Sequence, residues 1–178
     1  MMADAEIVAA LHNAYTAVGL SGFYIRLNNR KILNGLAQIS GLNDQEIPSV
    51  IRIIDKLDKI GLNGVKEELN KLISEEATET FLKFISLEGD DDSILNEIKV
   101  MLLKSKQGLE GVGELKEVIT NLELLGVSKD GYKVDPSLAR GLGYYTSTVL
   151  EVTLPKTKMG SVGSGGRYND LVSRFAAI

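Results

Sequence analysis

Apolar residues recur at helical spacing from the start of the chain: Ile7, Leu11, Tyr15 and Val18 predict an amphipathic helix over residues 3–18. Gly19 and Gly22 punctuate its end. Phe23, Ile25 and Leu27 then alternate with Tyr24, Arg26 and Asn28, the period of two expected of a half-buried strand. Asn29 is placed to cap a helix running through Arg30, Ile32, Leu33, Leu36 and Ile39. The chain opens as helix, strand, helix.

From Leu42 to Val127 the pattern is almost purely helical. Pro48 suits a first turn, and Val50, Ile51, Ile54, Leu57 and Ile60 follow at helical spacing. Further helices are predicted through Val65–Leu72, Ala77–Ile85, Ile94–Leu103 and Leu109–Leu125, with Gly61, Gly64, Gly89 and Gly108 between them. After Gly126 the period returns to two. Tyr132–Asp135 reads as a short extended piece, Tyr144–Leu154 as a strand, 155–160 as a turn, 161–168 as a returning strand and 170–175 as the start of a helix. The expected fold class is α+β, with a helical block at 42–127 inserted between pieces at 1–41 and 128–178.

Composition adds mainly exclusions. The 178 residues are 44% hydrophobic and 25% charged, ordinary for a globular protein. With no cysteine, a disulfide scaffold, a thiolate metal site and a cysteine nucleophile are excluded, and His12 as the single histidine weighs against a catalytic triad or a His-rich metal site. No metal site is expected. The net charge of −4 does not suggest a nucleic-acid binder. The charge is uneven, however: 17 acidic and 11 basic side chains lie between Glu46 and Lys129, while the final stretch is mildly basic. The run Glu88–Asp92 reads as a solvated loop leading into a helix N-terminus, where carboxylates complement the helix dipole. No targeting segment is apparent. Ile7–Ile25 is uncharged but broken by Gly19 and Gly22, so the expectation is a cytoplasmic protein without a membrane span.

Two segments carry chemistry. In RGLGYYTSTVLE, residues 140–151, an arginine stands at the mouth of a strand beside two glycines and two consecutive tyrosines. A guanidinium fork suits phosphate or carboxylate, and adjacent tyrosines on a strand point to opposite faces, so one can line a pocket while the other packs. A surface arginine with two packed tyrosines is the bland alternative. In GSVGSGGRYNDL, residues 160–171, four glycines fall within seven positions. Neither a P-loop nor a dinucleotide fingerprint fits. A glycine-floored pocket and a bulged hairpin edge both remain open.

Together these segments resemble the paired signature of histidyl-tRNA synthetases, a strand motif R-G-L-D-Y-Y-T-G-T-V-F-E followed by a G-G-R-Y turn. ADAEIVAALHNAY near the start and LNNRKILNGL after it resemble the stretch that follows the second class II motif in that family. The resemblance implies part of a class II antiparallel-sheet catalytic core, interrupted by the family's helical insertion domain. It implies Arg140 as the catalytic arginine, contacting the histidine carboxylate and the ATP α-phosphate. It implies Tyr144, Tyr145 and Tyr168 in the histidine pocket, and Ser164 and Gly165 as its backbone floor. Glu151 matches the motif's terminal acid.

The implied parent is a homodimeric ligase taking histidine, ATP with Mg²⁺, and tRNA(His). Gly143, Ser147, Leu150 and Asn169 depart from the family's usual Asp, Gly, Phe and Asp. No segment resembles the first class II motif, the arginine loop of the second, the third motif or the anticodon-binding domain, so the expectation is an internal fragment, inactive alone. The alternative is a synthetase-like, histidine-sensing regulatory subunit of ATP phosphoribosyltransferase. That group generally lacks a large helical insertion, so residues 42–127 weigh against it. A helical interaction module without ligand chemistry would leave both motifs unexplained.

Overall fold

The computed structural model describes residues 1–140, 144–155 and 160–176. A helix α1 (Met2–Ala17) leads to strand β1 (Tyr24–Asn29) and, without a break, to α2 (Arg30–Ile39). The cap is as expected: the Asn29 side chain accepts the Lys31 N–H at 2.9 Å. Five helices follow: α3 (Ile47–Ile54), α4 (Leu57–Leu69), α5 (Glu75–Ile85), α6 (Asp91–Met101) and α7 (Lys106–Leu124). Strands β2 (Tyr132–Val134), β3 (Thr148–Thr153) and β4 (Ser161–Gly166) and a short helix α8 (Leu171–Ala176) complete the chain. The fold is mixed α+β. Among the described residues no helix is long and apolar enough to cross a membrane.

The four strands form one sheet in the order β2-β1-β3-β4. β1 runs parallel to β2 and antiparallel to β3, and β3 is antiparallel to β4. Registers Leu27↔Leu150 and Ile25↔Val152 put four apolar side chains on one face, each buried. Helix α7 lies across this face and touches α1, α2, α6 and β1. The apolar core is one continuous cluster from Ala5 and Val8 of α1, through the sheet, to Phe81 and Phe84 of α5.

The predicted half-buried β1 is corrected. Arg26, Asn28 and Asn29 are all buried, Asn28 fully, so both faces of the strand are covered. Other local expectations shift as well. The run predicted as one helix from Val50 to Ile60 divides between α3 and α4. Gly64 lies inside α4, and Gly108 belongs to the first turn of α7, its N–H donated to Ser105 Oγ at 3.1 Å. The strand predicted from Tyr144 begins only at Thr148. In the acidic run, Asp90 caps α6 through the Ser93 N–H, whereas Asp91 is partly buried and accepts the Val134 N–H of β2 at 2.8 Å. Burial raises Asp91 above the usual carboxylate value in spite of that hydrogen bond.

Glycine sets how closely α7 and α2 approach. A Cβ at Gly35 would stand 2.6 Å from Gly108 Cα, and one at Gly111 would stand 2.9 Å from Ile32 N. Because those neighbours are backbone atoms, they cannot rotate away. Gly35→Ala is therefore expected to cost about 1–3 kcal/mol by overpacking, read as a lower urea midpoint at unchanged slope.

Candidate functional site

The polar face of the sheet is built by the positions that alternate with the core. Arg26 and Asn28 of β1, Glu151 of β3 and Ser164 of β4 lie on it, through the registers Arg26↔Glu151 and Glu151↔Ser164. The segment after β2 crosses this face. Asn28 Nδ2 donates to the carbonyls of Pro136 at 3.2 Å and Leu138 at 3.0 Å, which anchors that segment and brings Arg140 over the sheet.

Arg26 organises the centre. Its Nε donates to Asp135 Oδ2 at 2.7 Å, its Nη2 to Ser137 Oγ at 2.9 Å, and its Nη1 to Glu151 Oε1 at 3.0 Å and Asp58 Oδ2 at 3.3 Å. Burial alone would lower the Arg26 pKa, but Asp135, Asp58 and Glu151 together hold it above the ordinary arginine value. The second oxygen of Glu151 forms an ion pair with Arg140 Nε. The Glu151 side chain is 3% exposed and that of Arg140 42%, so a buried carboxylate holds a guanidinium that faces the cleft.

Arg140, Tyr144, Tyr145 and Ser164 line one cleft of about 930 Å³, together with Arg30, Asn34 and Gln38 of α2. Tyr168 joins them by stacking on Tyr144, ring centroids 4.8 Å apart, while Tyr145 meets Tyr144 edge-on at 4.7 Å. Burial, and then a hydrogen bond with Tyr144, push the Tyr145 phenol up, so it stays a neutral hydroxyl. Gly165 stands opposite Leu150, so a side chain there would face the helices and only its backbone is left for the floor. Gly166, by contrast, is closely approached by the tyrosine segment: a Cβ on it would lie 2.8 Å from the Tyr145 ring and 2.9 Å from the Thr148 carbonyl. Gly143 lies outside the described residues.

The tyrosine segment is held from three sides. Thr146 N–H donates to the Arg167 carbonyl at 2.9 Å, and Arg167 N–H to the Thr148 carbonyl at 2.8 Å. Asp4 of α1 accepts from Arg167 Nη1 at 2.7 Å and from Thr148 Oγ1 at 2.6 Å. Asn169 accepts from Arg167 Nε at 2.9 Å. Ser147, where the family usually has Gly, donates to Glu114 Oε2 of α7 at 2.5 Å, and Glu114 also accepts from Asn29 and Lys31. Burial would raise the Glu114 pKa, but the hydrogen bonds from Lys31, Ser147 and Asn29 outweigh it and hold the carboxyl below the usual range. Leu150, at the usual Phe position, is buried on the helix face. Sequence reading missed Arg26, Asn28, Glu114 and Gly166. Arg26 and Asn28 looked like outward polar positions, Glu114 was one of 17 acidic side chains between Glu46 and Lys129, and Gly166 was one of several interchangeable glycines. Among the described residues no group of three or more His, Asp or Glu could hold a metal ion.

Two outcomes are expected. Gly165→Ala should be nearly neutral while Gly166→Ala costs about 1–3 kcal/mol and displaces Tyr145, visible in urea unfolding and tyrosine fluorescence. Glu114 has a depressed folded pKa, so its contribution is present above the ordinary glutamate value of ~4.3 and is lost as pH falls through the lower folded value. Glu114→Gln should flatten that part of the acid-unfolding curve followed by circular dichroism.

The family model for histidyl-tRNA synthetase matches residues 1–177. Among curated relatives, the histidine–tRNA ligase of Nostoc punctiforme is 39% identical over 98% of this chain and 38% of its own length. That of Flavobacterium johnsoniae is 41% identical over 97% of this chain and 36% of its own. The chain thus spans well under half the length of these relatives. The crystal structure of histidyl-tRNA synthetase from Nostoc sp. PCC 7120 superposes with a TM-score of 0.93 at 40% identity, over 99% of this chain and 42% of that one. A Bacillus halodurans C protein described as an ATP phosphoribosyltransferase regulatory subunit/histidyl-tRNA synthetase gives 0.80 at 25% identity, over 98% of this chain and 45% of that one. With the family model matching residues 1–177 and relatives about 40% identical over nearly all of the chain, this chain belongs to the histidyl-tRNA synthetase family.

Proposed function

We propose that this chain forms the histidine-binding side of a ligase that activates histidine with ATP–Mg²⁺ and transfers it to tRNA(His). The carrying observation is that Arg140, Tyr144, Tyr145 and Ser164 line one cleft on the polar face of the sheet. In the first step a histidine carboxylate oxygen attacks the α-phosphorus of ATP. A new P–O bond forms as the bond to the β,γ-unit breaks, releasing pyrophosphate and leaving histidyl-adenylate. The 3′-terminal ribose hydroxyl of the tRNA then takes the acyl group and AMP departs.

Arg140 is assigned to the substrate carboxylate and the α-phosphate, where a held cation stabilises charge that grows in the transition state. Tyr144, Tyr145 and Tyr168 are assigned to the imidazole ring: stacked aromatic faces supply its walls, and a phenol kept neutral supplies a hydrogen bond. Ser164 and Gly165 are assigned to the floor through β4, with Gly166 rather than Gly165 giving Tyr145 its room. ATP–Mg²⁺ is a substrate in this scheme.

The same reading divides the chain into catalytic-core pieces at 1–41 and 128–178 around a helical insertion at 42–127. Among the described residues all four strands fall in the outer pieces, which supports the division. The seating of α7 on α1, α2 and β1 ties the end of the insertion to the core. A cytoplasmic homodimer completes the proposal. The regulatory-subunit alternative is less favoured, since the protein bearing that description is 25% identical while the ligases reach 39–41%.

Arg140→Ala, in a protein of the relatives' full length carrying this segment, should lower histidine-dependent ATP–pyrophosphate exchange by roughly 10²–10³, the range for losing one oxyanion-type donor. Near-normal exchange in that variant would overturn the assignment. The 178-residue chain alone is expected to show no exchange, because it contains neither the second-motif arginine loop nor the third motif.

A further inference from the structure

Arg140 sits on an irregular stretch between β2 and β3, with neither helix nor strand to fix its direction. Its Nε is ion-paired with Glu151, a residue within β3 whose side chain is shut away from water. The two guanidiniums around Glu151 are used in opposite ways. Arg26 has its Nε, Nη1 and Nη2 all engaged, by Asp135, Ser137, Glu151 and Asp58. Arg140 is held through Nε alone among the described residues, and it faces the cleft. Holding an arginine by Nε leaves its paired Nη groups for a second partner, and that pair matches the two oxygens of a carboxylate or phosphate.

From this geometry we infer that Glu151 is a positioning residue. Fixed at Oε1 by Arg26, it uses Oε2 to orient Arg140 so that the Nη groups are presented to the anionic group of the substrate. The inference rests on the role proposed above for Arg140 as an anion ligand. Arg26 is the outer part of the same device. A carboxylate bound to one flexible arginine could swing with it, whereas one already bound to an immobile arginine cannot. Ion pairs run in series from Asp135 and Asp58, through Arg26, to Glu151 and finally Arg140. The last member lines the cleft, with Nη donors that no described residue takes up.

The test is ¹⁵N NMR of arginine side chains in the full 178-residue chain. In the unaltered protein, Arg140 Hε should exchange with solvent at least about tenfold more slowly than in free arginine. Glu151→Gln should return Arg140 to the free-arginine rate while Arg26, still held by Asp135, keeps its protection. Should that variant fail to fold, Glu151→Asp keeps the charge but withdraws it by one methylene, and the same selective loss is expected. A Glu151 that served stability alone would lower the melting temperature without a selective change at Arg140. Fast Arg140 exchange in the unaltered protein overturns the inference, as does protection that survives in a folded Glu151 variant. No turnover is required, so the result is separate from the exchange assay: normal exchange by Arg140→Ala would remove the catalytic role and leave the Glu151–Arg140 signature standing.

Discussion

A buried guanidinium among three carboxylates is the interaction on which the site depends. Arg26 occupies the middle of β1, a strand with neighbours on both edges, and its side chain is only 11% exposed. Removing such a charge from solvent is tolerable only when its donors are satisfied, and breaking one partner of a buried pair commonly costs about 3–5 kcal/mol. Asp135, Asp58 and Glu151 meet that requirement from three separate parts of the chain: the loop after β2, the helix α4 and the strand β3. The single cation therefore fixes where those three segments lie with respect to one another.

The two faces of the sheet divide the work. On one, Ile25, Leu27, Leu150 and Val152 join the apolar core beneath α1, α2 and α7, with glycine at the α2–α7 crossing so that the helix axes come close. On the other, the alternating positions of the same strands carry Arg26, Asn28, Glu151 and Ser164. Strand geometry alone links them: wherever the core claims one residue, its neighbour is delivered to the opposite side. The site is a consequence of how the core is packed.

The tyrosine segment shows the same economy. It lies outside regular structure, yet Asp4, Glu114 and Arg167 hold it from α1, α7 and the end of β4. Ser147, a departure from the family motif, supplies the hydroxyl through which α7 grips the segment. Helix α7 falls within the helical block, but it lies on the sheet, so the boundary drawn by periodicity is crossed by the packing.

Much of this was legible along the chain. Helical spacing located α1, α2, α5, α6 and most of α7; alternation located β1; the Asn29 cap and the two motifs needed only local pattern. These features depend on residues within a turn or two of one another, and local sequence determines them. The mixed class and the grouping of Arg140 with the tyrosines followed from motif order. What periodicity could not supply was the second partner of each polar side chain. Arg26 reads as an outward position until Asp135 and Glu151, more than a hundred residues away, close over it. Four glycines in a row of seven are equivalent on paper, and only the strand register separates Gly166, against Tyr145, from Gly165, against Leu150. The sequence by itself determined which elements form and which residue types reach the site. The tertiary structure decided which face each residue meets and which charges share a partner, because burial and ion pairing are set by neighbours distant in the chain.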